Sequence, residues 1–165
     1  MYLEFYNLRE FPFSMGCDER FFYESSVHAE ALANMLYTFQ QRKGMVLISG
    51  EVGAGKTFVG NLLVSRLGPG CQTVMLRHPP QSGKQLLRAV ANGMGLRIPP
   101  TADGLSLADE LHQHLLRLYR RGRVAAVIID ECQDLSPKAL EEARLMWNWE
   151  EDGQRLLQIL MIGQP

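Results

Sequence analysis

The sequence predicts an α/β fold in which helices cover both faces of a parallel sheet, giving a three-layer sandwich. Four short apolar runs without polar alternation occur in the 165-residue chain, and such runs are typical of strands that are buried on both faces. Segments with helical spacing separate the runs, which is the order of elements that a parallel sheet requires. Ligands of such sheets bind beyond the carboxyl ends of the strands.

Each predicted strand is short, apolar and bounded by turn-forming or polar residues. Glycine closes the first run at both ends, and the third run is apolar throughout. The predicted strands are Met45–Ser49, 73–77, Val124–Ile129 and 156–162.

The helix starts are predicted from residues that can cap free backbone N–H groups. The first helix begins at Ser25 or Ser26, and its core face is Leu32, Met35, Leu36 and Phe39. A second helix is expected from about residue 55 to 67. Later starts are predicted at the capping boxes Ser82 with Gln85 and Ser106 with Asp109, and at Ser136-Pro137, because proline suits the first helical position.

Residues 1–24 are rich in aromatic side chains and turn formers. They predict an N-terminal arm that packs its rings on a core domain formed by residues 25–165. In an alternative interpretation, part of this arm also lines the ligand pocket.

The composition is that of an ordinary soluble domain. The chain is 46% hydrophobic and 21% charged, and its formal net charge of -1 gives no whole-chain basis for binding nucleic acid or an anionic membrane. Its three cysteines, Cys17, Cys71 and Cys132, are widely spaced, which argues against a disulfide framework or zinc site and favours a reducing cytoplasm. No signal peptide or run long enough for membrane insertion is recognised.

A glycine-rich segment between the first predicted strand and the second predicted helix matches G-x-x-x-x-G-K-T in full. Glycines allow a tight loop whose N–H groups turn toward phosphate oxygens, and the helix that follows points its positive end at the same place. In this pattern the lysine reaches the β- and γ-phosphates, and the threonine hydroxyl is a Mg²⁺ ligand. The predicted ATP-binding residues are Gly50, Glu51, Val52, Gly53, Ala54, Gly55, Lys56 and Thr57.

Two carboxylates end the third predicted strand, Asp130 and Glu131. In a doubly wound sheet this strand end lies beside the phosphate loop. We expect Asp130 to hold the Mg²⁺ and Glu131 to accept a proton from the attacking water. Because adjacent residues at a strand end point in different directions, the two roles are compatible.

Several weaker signals accompany the two motifs. Gln164 follows the last predicted strand, where it could contact the γ-phosphate or the lytic water. His28, in the first turn of the first helix, is either a residue near the adenine or a surface or packing histidine. His112 and His114 are two residues apart on a helix and face different directions, so they do not predict a metal pair. The basic run 119–123 fits a helix end that favours cations, with a nucleic-acid contact as the alternative.

Together these segments resemble the AAA+ ATPases of the general secretion pathway protein A group, within the broader Orc/DEAH-type AAA+ ATPases. The likeness runs over nearly the whole chain. It rests on Tyr2-x-x-Phe5-Tyr6-x-Leu8, Pro12-Phe13, Phe22-Tyr23, Ser26-x-His28, Gly50 to Thr57, Ile128 to Ser136 and Leu156 to Pro165.

The resemblance implies a cytoplasmic ATPase domain that works as a homo-oligomer, with a secretion complex as a protein partner. It implies that Lys56 and Thr57 belong to Walker A and Asp130 and Glu131 to Walker B, and that Gln164 is the sensor-1 residue. The group continues into a further strand, an arginine finger and a lid. The resemblance therefore predicts a sandwich truncated before its last strand, with Met45–Ser49 as an exposed apolar edge. Attachment to the inner membrane would come through a partner or a missing C-terminal region.

Three functions are compatible with these residues. The first is a motor or switch ATPase of a general-secretion-type system. The second is a DNA-associated regulator of the transposition or origin-binding kind, which the net charge does not favour. The third is a nucleotide-binding fragment without turnover, because an arginine finger can be worth about 10³–10⁵ in rate.

Overall fold

The computed structural model of the chain describes residues 2–11, 22–23 and 25–165. The helices are α1 (Tyr2–Phe5), α2 (Ser26–Gln40), α3 (Lys56–Leu67), α4 (Gly83–Gly93), α5 (Gly104–Arg120) and α6 (Pro137–Trp147). The strands are β1 (Met45–Ser49), β2 (Cys71–Leu76), β3 (Val124–Ile129), β4 (Glu150–Glu151), β5 (Gln154–Arg155) and β6 (Leu157–Gly163). A parallel four-stranded sheet has the order β1-β6-β3-β2, and β4 and β5 form an antiparallel hairpin.

The predicted α/β sandwich is confirmed, because helices cover both faces of the sheet. Ala126 and Ile128 of β3 pack with buried residues of α2 and α3. Ala125, Val127 and Ile129 pack with α4, α5 and α6 on the opposite face. Alternate residues of a strand point to opposite faces, so a strand that is covered on both sides has no polar position. This arrangement explains the unbroken apolar run.

The helix starts agree with the sequence except at α5. Ser25, Ser82 and Ser136 each accept a hydrogen bond from the backbone N–H three residues later. The capping box predicted at Ser106 is wrong, because Asp103 caps α5 and its Oδ1 accepts from the N–H of Ser106 at 2.8 Å. Asp103 and Ser106 both have side chains that can accept from the N–H three residues later. The cap at Asp103 starts the helix three residues earlier than a cap at Ser106 would.

Strand bounds differ from the prediction only at the ends. The bounds of β1 and β3 match. The other two strands of the main sheet are displaced by one or two residues, with β2 covering Cys71–Leu76 and β6 covering Leu157–Gly163. The hairpin of β4 and β5 was not predicted, since two-residue strands have no periodicity to recognise.

Strand β1 is the edge of the main sheet nearest the glycine-rich loop. It pairs with β6 on one side, and no strand in the described part of the chain pairs with its other side. Leu47 at the middle of β1 is 64% exposed. This agrees with the expected exposed apolar edge.

The aromatic rings of the N-terminal segment contact one another. The ring of Tyr2 lies 5.3 Å from that of Tyr6 and 6.3 Å from that of Phe11, and Phe5 is 79% exposed. The packing of residues 1–24 on the core remains a prediction, because 12–21 and residue 24, which include Cys17, lie outside the described residues. No described helix is both long enough and apolar enough to cross a bilayer.

Candidate functional site

The glycine-rich loop connects the carboxyl end of β1 to the first turn of α3. Gly53 and Gly55 have φ angles of +81° and +80°, a left-handed conformation that glycine adopts without steric cost. Gly55 is the residue that precedes α3. The loop thus places its backbone beside a helix N-terminus, where free N–H groups and the helix dipole attract anions.

The side chain of Lys56 is held by the loop that precedes it. Its Nζ donates hydrogen bonds to the carbonyl oxygens of Gly50 at 2.7 Å and Glu51 at 2.8 Å. An ammonium group has three donors, so these bonds leave one for an anion. The positive charge therefore lies at the mouth of the loop.

Thr57 and Asp130 meet across the boundary between α3 and β3. Thr57 Oγ1 donates to Asp130 Oδ2 at 2.8 Å, and Asp130 is 6% exposed. Asp130 Oδ1 accepts from the backbone N–H of Glu131 at 3.0 Å. A hydroxyl and one carboxylate are hard oxygen donors, and Mg²⁺ binds through one or two carboxylates together with substrate phosphates. The residues present therefore fit a phosphate-bound Mg²⁺.

Glu131 has an unusual backbone conformation for a residue with a side chain. Its φ angle is +51°, a left-handed conformation that is uncommon outside glycine and that clusters at functional sites. Its Oε2 accepts from Gln133 Nε2 at 2.7 Å and from Gln164 Nε2 at 3.3 Å. The hydrogen bonds from these two amides hold the pKa of Glu131 below its ordinary value, and the bond from Gln133 has the larger effect. The carboxylate is thus ionised and fixed.

Gln133 is a site residue that the sequence did not single out. Its amide donates to Glu131 through Nε2 and accepts from the backbone N–H of Gln164 at 3.1 Å through Oε1. Gly163 allows this contact, because a Cβ there would lie 3.0 Å from Gln133 Oε1. In the sequence, the only indication of this role is that Gln133 lies two residues after the acidic pair. Its partner Gln164 is 31 residues away and comes close only in the folded chain.

A cavity of about 280 Å³ is lined by Val52, Gly53, Gly55, Lys56, Thr57, Phe58, Glu131 and Gln164. The residues predicted to bind phosphate, to hold the metal and to activate water thus come together at the carboxyl ends of β1, β3 and β6. Asp130 and Glu51 do not line this cavity, but each bonds to a residue that does. Asp130 accepts from the Thr57 hydroxyl, and the carbonyl of Glu51 accepts from Lys56 Nζ. Gly50 and Ala54 line a smaller cavity of about 110 Å³ on the α2 side of the loop.

His28 contacts the opposite side of the glycine-rich loop. Its Nε2 lies 3.0 Å from the carbonyl oxygen of Ala54, and its Nδ1 lies 2.9 Å from Ser25 Oγ. Phe22 packs between the rings of His28, at 5.6 Å, and Phe58, at 4.7 Å. His28 therefore packs between the glycine-rich loop and Phe22, and a position near the adenine stays a prediction.

The remaining residues noted in the sequence lie away from this cavity. His112 packs edge-on against Trp149, whereas His114 Nε2 lies 3.2 Å from Gln72 Oε1. None of these side chains lines the cavity beside the glycine-rich loop.

Comparison with known proteins agrees with this architecture. The AAA domain family matches residues 39–165. General secretion pathway protein A of Aeromonas hydrophila is 38% identical over 165 residues, which are 100% of this chain and 30% of that protein. The chain therefore spans less than a third of the length of this curated relative.

Two solved structures share the fold. The ORC2 protein of Aeropyrum pernix, in its ADPNP-ADP complexes, has a TM-score of 0.68 and 19% identity over 90% of this chain and 44% of its own. Cdc6p of Pyrobaculum aerophilum has a TM-score of 0.68 and 14% identity over 93% of this chain and 42% of its own. Since the family match includes the glycine-rich loop, the acidic strand end and the last strand, the chain belongs to the AAA domain family.

Proposed function

We propose that this chain binds ATP together with Mg²⁺ and hydrolyses it. The observation that carries the proposal is the 2.8 Å hydrogen bond from Thr57 Oγ1 to Asp130 Oδ2, which joins the helix start to the acidic strand end. Lys56, Glu131 and Gln164 line the cavity beside that bond. A phosphate site, a hard-oxygen metal site and a carboxylate base are what ATP hydrolysis requires.

Each side chain has a separate part in this mechanism. The loop N–H groups and Lys56 would bind the β- and γ-phosphates. Thr57 and Asp130 would hold Mg²⁺, which when bound neutralises charge on the phosphate oxygens. Both amide bonds to Glu131 use Oε2, so Oε1 remains to accept the proton of the attacking water. Gln164 would orient that water or the γ-phosphate through its amide.

The substitution Glu131→Gln tests the base directly. It keeps the shape of the side chain but removes the carboxylate, so we expect ATP binding to be retained and turnover to fall at least about a hundredfold. A matched control is Glu150→Gln in the hairpin of β4 and β5, which removes a carboxylate paired with Arg155 at 3.2 Å. Unchanged turnover in Glu131→Gln would remove this residue from the base role.

We further propose that the domain is a motor or switch subunit of a general-secretion-type system, acting in the cytoplasm as a homo-oligomer with a protein partner. The support is the 38% identity to general secretion pathway protein A over every residue of this chain. A secretion assay in cells whose protein carries Lys56→Ala tests it, with loss of export expected.

Turnover that double-stranded DNA stimulates at physiological salt would instead favour a DNA-associated regulator. ATP binding without turnover would favour a nucleotide-binding role alone.

A further inference from the structure

The ring of His28 has both nitrogens engaged, and the acceptors decide which nitrogen carries the proton. A backbone carbonyl can only accept, so Nε2 donates its proton to the Ala54 oxygen at 3.0 Å. In the neutral ring, Nδ1 then accepts the hydroxyl proton of Ser25 at 2.9 Å. Ser25 Oγ also accepts from the backbone N–H of His28 as the cap of α2. The Ala54 carbonyl therefore selects the Nε2–H tautomer, and the hydroxyl of Ser25 can donate to Nδ1 in that tautomer.

The bond to Ala54 determines the direction of the next N–H group. In a trans peptide the C=O and the following N–H lie in one plane and point in opposite directions. Because the Ala54 carbonyl points at His28, the N–H of Gly55 points away from α2. Gly55 lines the cavity beside Lys56 and Thr57, so its N–H is directed to the phosphate side of the loop.

Apart from the bond of Lys56 Nζ to the Glu51 oxygen at 2.8 Å, few contacts from the described residues hold this part of the loop. Residues 51–54 are all exposed, and the turn is closed by a 3.2 Å hydrogen bond from the Ala54 N–H to the Glu51 oxygen. His28 is supported from behind, since Phe22 contacts its ring and stacks on Phe58 in the first turn of α3. Glycine at 55 also permits the approach, because a Cβ there would lie 3.4 Å from His28 Nε2.

We propose that His28 is a positioning residue of the nucleotide site, which presets the Gly55 N–H for a phosphate oxygen of a nucleoside di- or triphosphate. This inference rests on the proposed nucleotide binding and adds a specific device to it. Without the bond to His28, the 54–55 peptide loses the hydrogen bond that sets the direction of its carbonyl, and only a fraction of molecules present the N–H inward. The apparent dissociation constant rises by the inverse of that fraction.

The test measures Mg-ADP and Mg-ATP binding by calorimetry in three variants and the wild-type chain. For His28→Ala we expect both dissociation constants to rise about tenfold, as when a tenth of molecules remain competent. For His28→Gln we expect a rise of no more than about threefold, because the amide Nε2 can donate to the same carbonyl. The control His112→Ala removes a histidine that packs on Trp149 and does not line the cavity beside the loop. It should leave binding unchanged.

The outcomes separate this inference from the proposed function. Absence of binding by the wild-type chain would overturn nucleotide binding and this inference together. Normal binding by His28→Ala, or equal losses in the Ala and Gln variants, would overturn the positioning role alone. If His28→Ala does not fold, ¹⁵N NMR of the wild-type imidazole decides the question. The Nε2–H tautomer is expected, and a neutral ring protonated at Nδ1 would contradict the hydrogen bond to Ala54.

Discussion

The substitution Gln133→Ala should slow ATP turnover without weakening ATP binding. Gln133 supplies the shorter of the two bonds to the Glu131 carboxylate, 2.7 Å against 3.3 Å from Gln164. The variant also removes the acceptor of the Gln164 N–H, so the remaining bond is loosened as well. Gln133 does not line the cavity beside the loop, and the nucleotide contacts should therefore persist.

The size of the effect follows from how much of the base is lost. Removing a general base entirely costs about 10²–10⁴ in rate, whereas Gln133→Ala leaves the carboxylate present but less well held. We therefore expect kcat to fall about tenfold, with KM for ATP within about twofold of the wild-type value. The matched control is Gln154→Ala in β5, which removes an amide of the same size outside the cavity.

The pH dependence gives a second signature of the same contact. The hydrogen bond from Gln133 is the largest cause of the lowered pKa of Glu131. Its loss raises that pKa toward the ordinary value. Since the ionised carboxylate is the active form, kcat in the variant should begin to fall at a higher pH during acidification. Steady-state phosphate release over a pH series measures both effects, and an unchanged kcat with an unchanged acid limb would refute the positioning role of Gln133.

Three further predictions concern the metal, a helix cap and the last strand. Thr57→Ala should weaken Mg-ATP binding about tenfold or more while leaving Mg²⁺-free ATP binding nearly unchanged, as calorimetry with and without Mg²⁺ would show. Asp103→Ala should lower the melting temperature at neutral pH more than Ser106→Ala, because the Ser106 variant keeps the backbone N–H that bonds to Asp103. Hydrogen bonds from Ser106 lower the pKa of Asp103, so its stabilisation is present above the ordinary value and is lost as the pH falls through the folded-state pKa. The melting temperatures of Asp103→Ala and wild type should therefore converge in acid. Gly163→Ala should destabilise the fold by about 1–3 kcal/mol, because its Cβ would lie 2.7 Å from Cys132 Sγ and 3.0 Å from Gln133 Oε1. It should also reduce kcat, since the contact with Gln133 is displaced. Wild-type kcat and urea stability would contradict this.

The elements that the sequence predicted best are those with strong local signals. Strands β1 and β3 are unbroken apolar runs, and their bounds were predicted to the residue. The glycine-rich loop and its lysine occur in consecutive residues, so their place between a strand and a helix followed directly. The cap of α5 was assigned to Ser106 instead of Asp103 because both side chains can accept a hydrogen bond from the N–H three residues later.

The parts that the sequence did not predict depend on contacts between distant segments. The bond of Gln133 to the N–H of Gln164 joins the segment after β3 to the residue that follows β6. The bond of His28 to Ala54 joins residues 26 apart in the chain. A single side chain in a linear sequence carries no information about such a partner. The role of His28 depends on the position of α2 beside the loop, and that of Gln133 depends on the position of β6 beside β3.

The most direct test of the account is calorimetric titration of the folded chain with Mg-ATP and Mg-ADP, repeated with Lys56→Ala. Lys56 lies at the mouth of the loop and lines the same cavity as Thr57 and Glu131. We expect saturable binding by the wild-type chain and affinity at least about tenfold weaker in the variant, because a phosphate loses its charged partner. No heat of binding with either nucleotide, or identical affinity in the variant, would contradict a phosphate site at this loop.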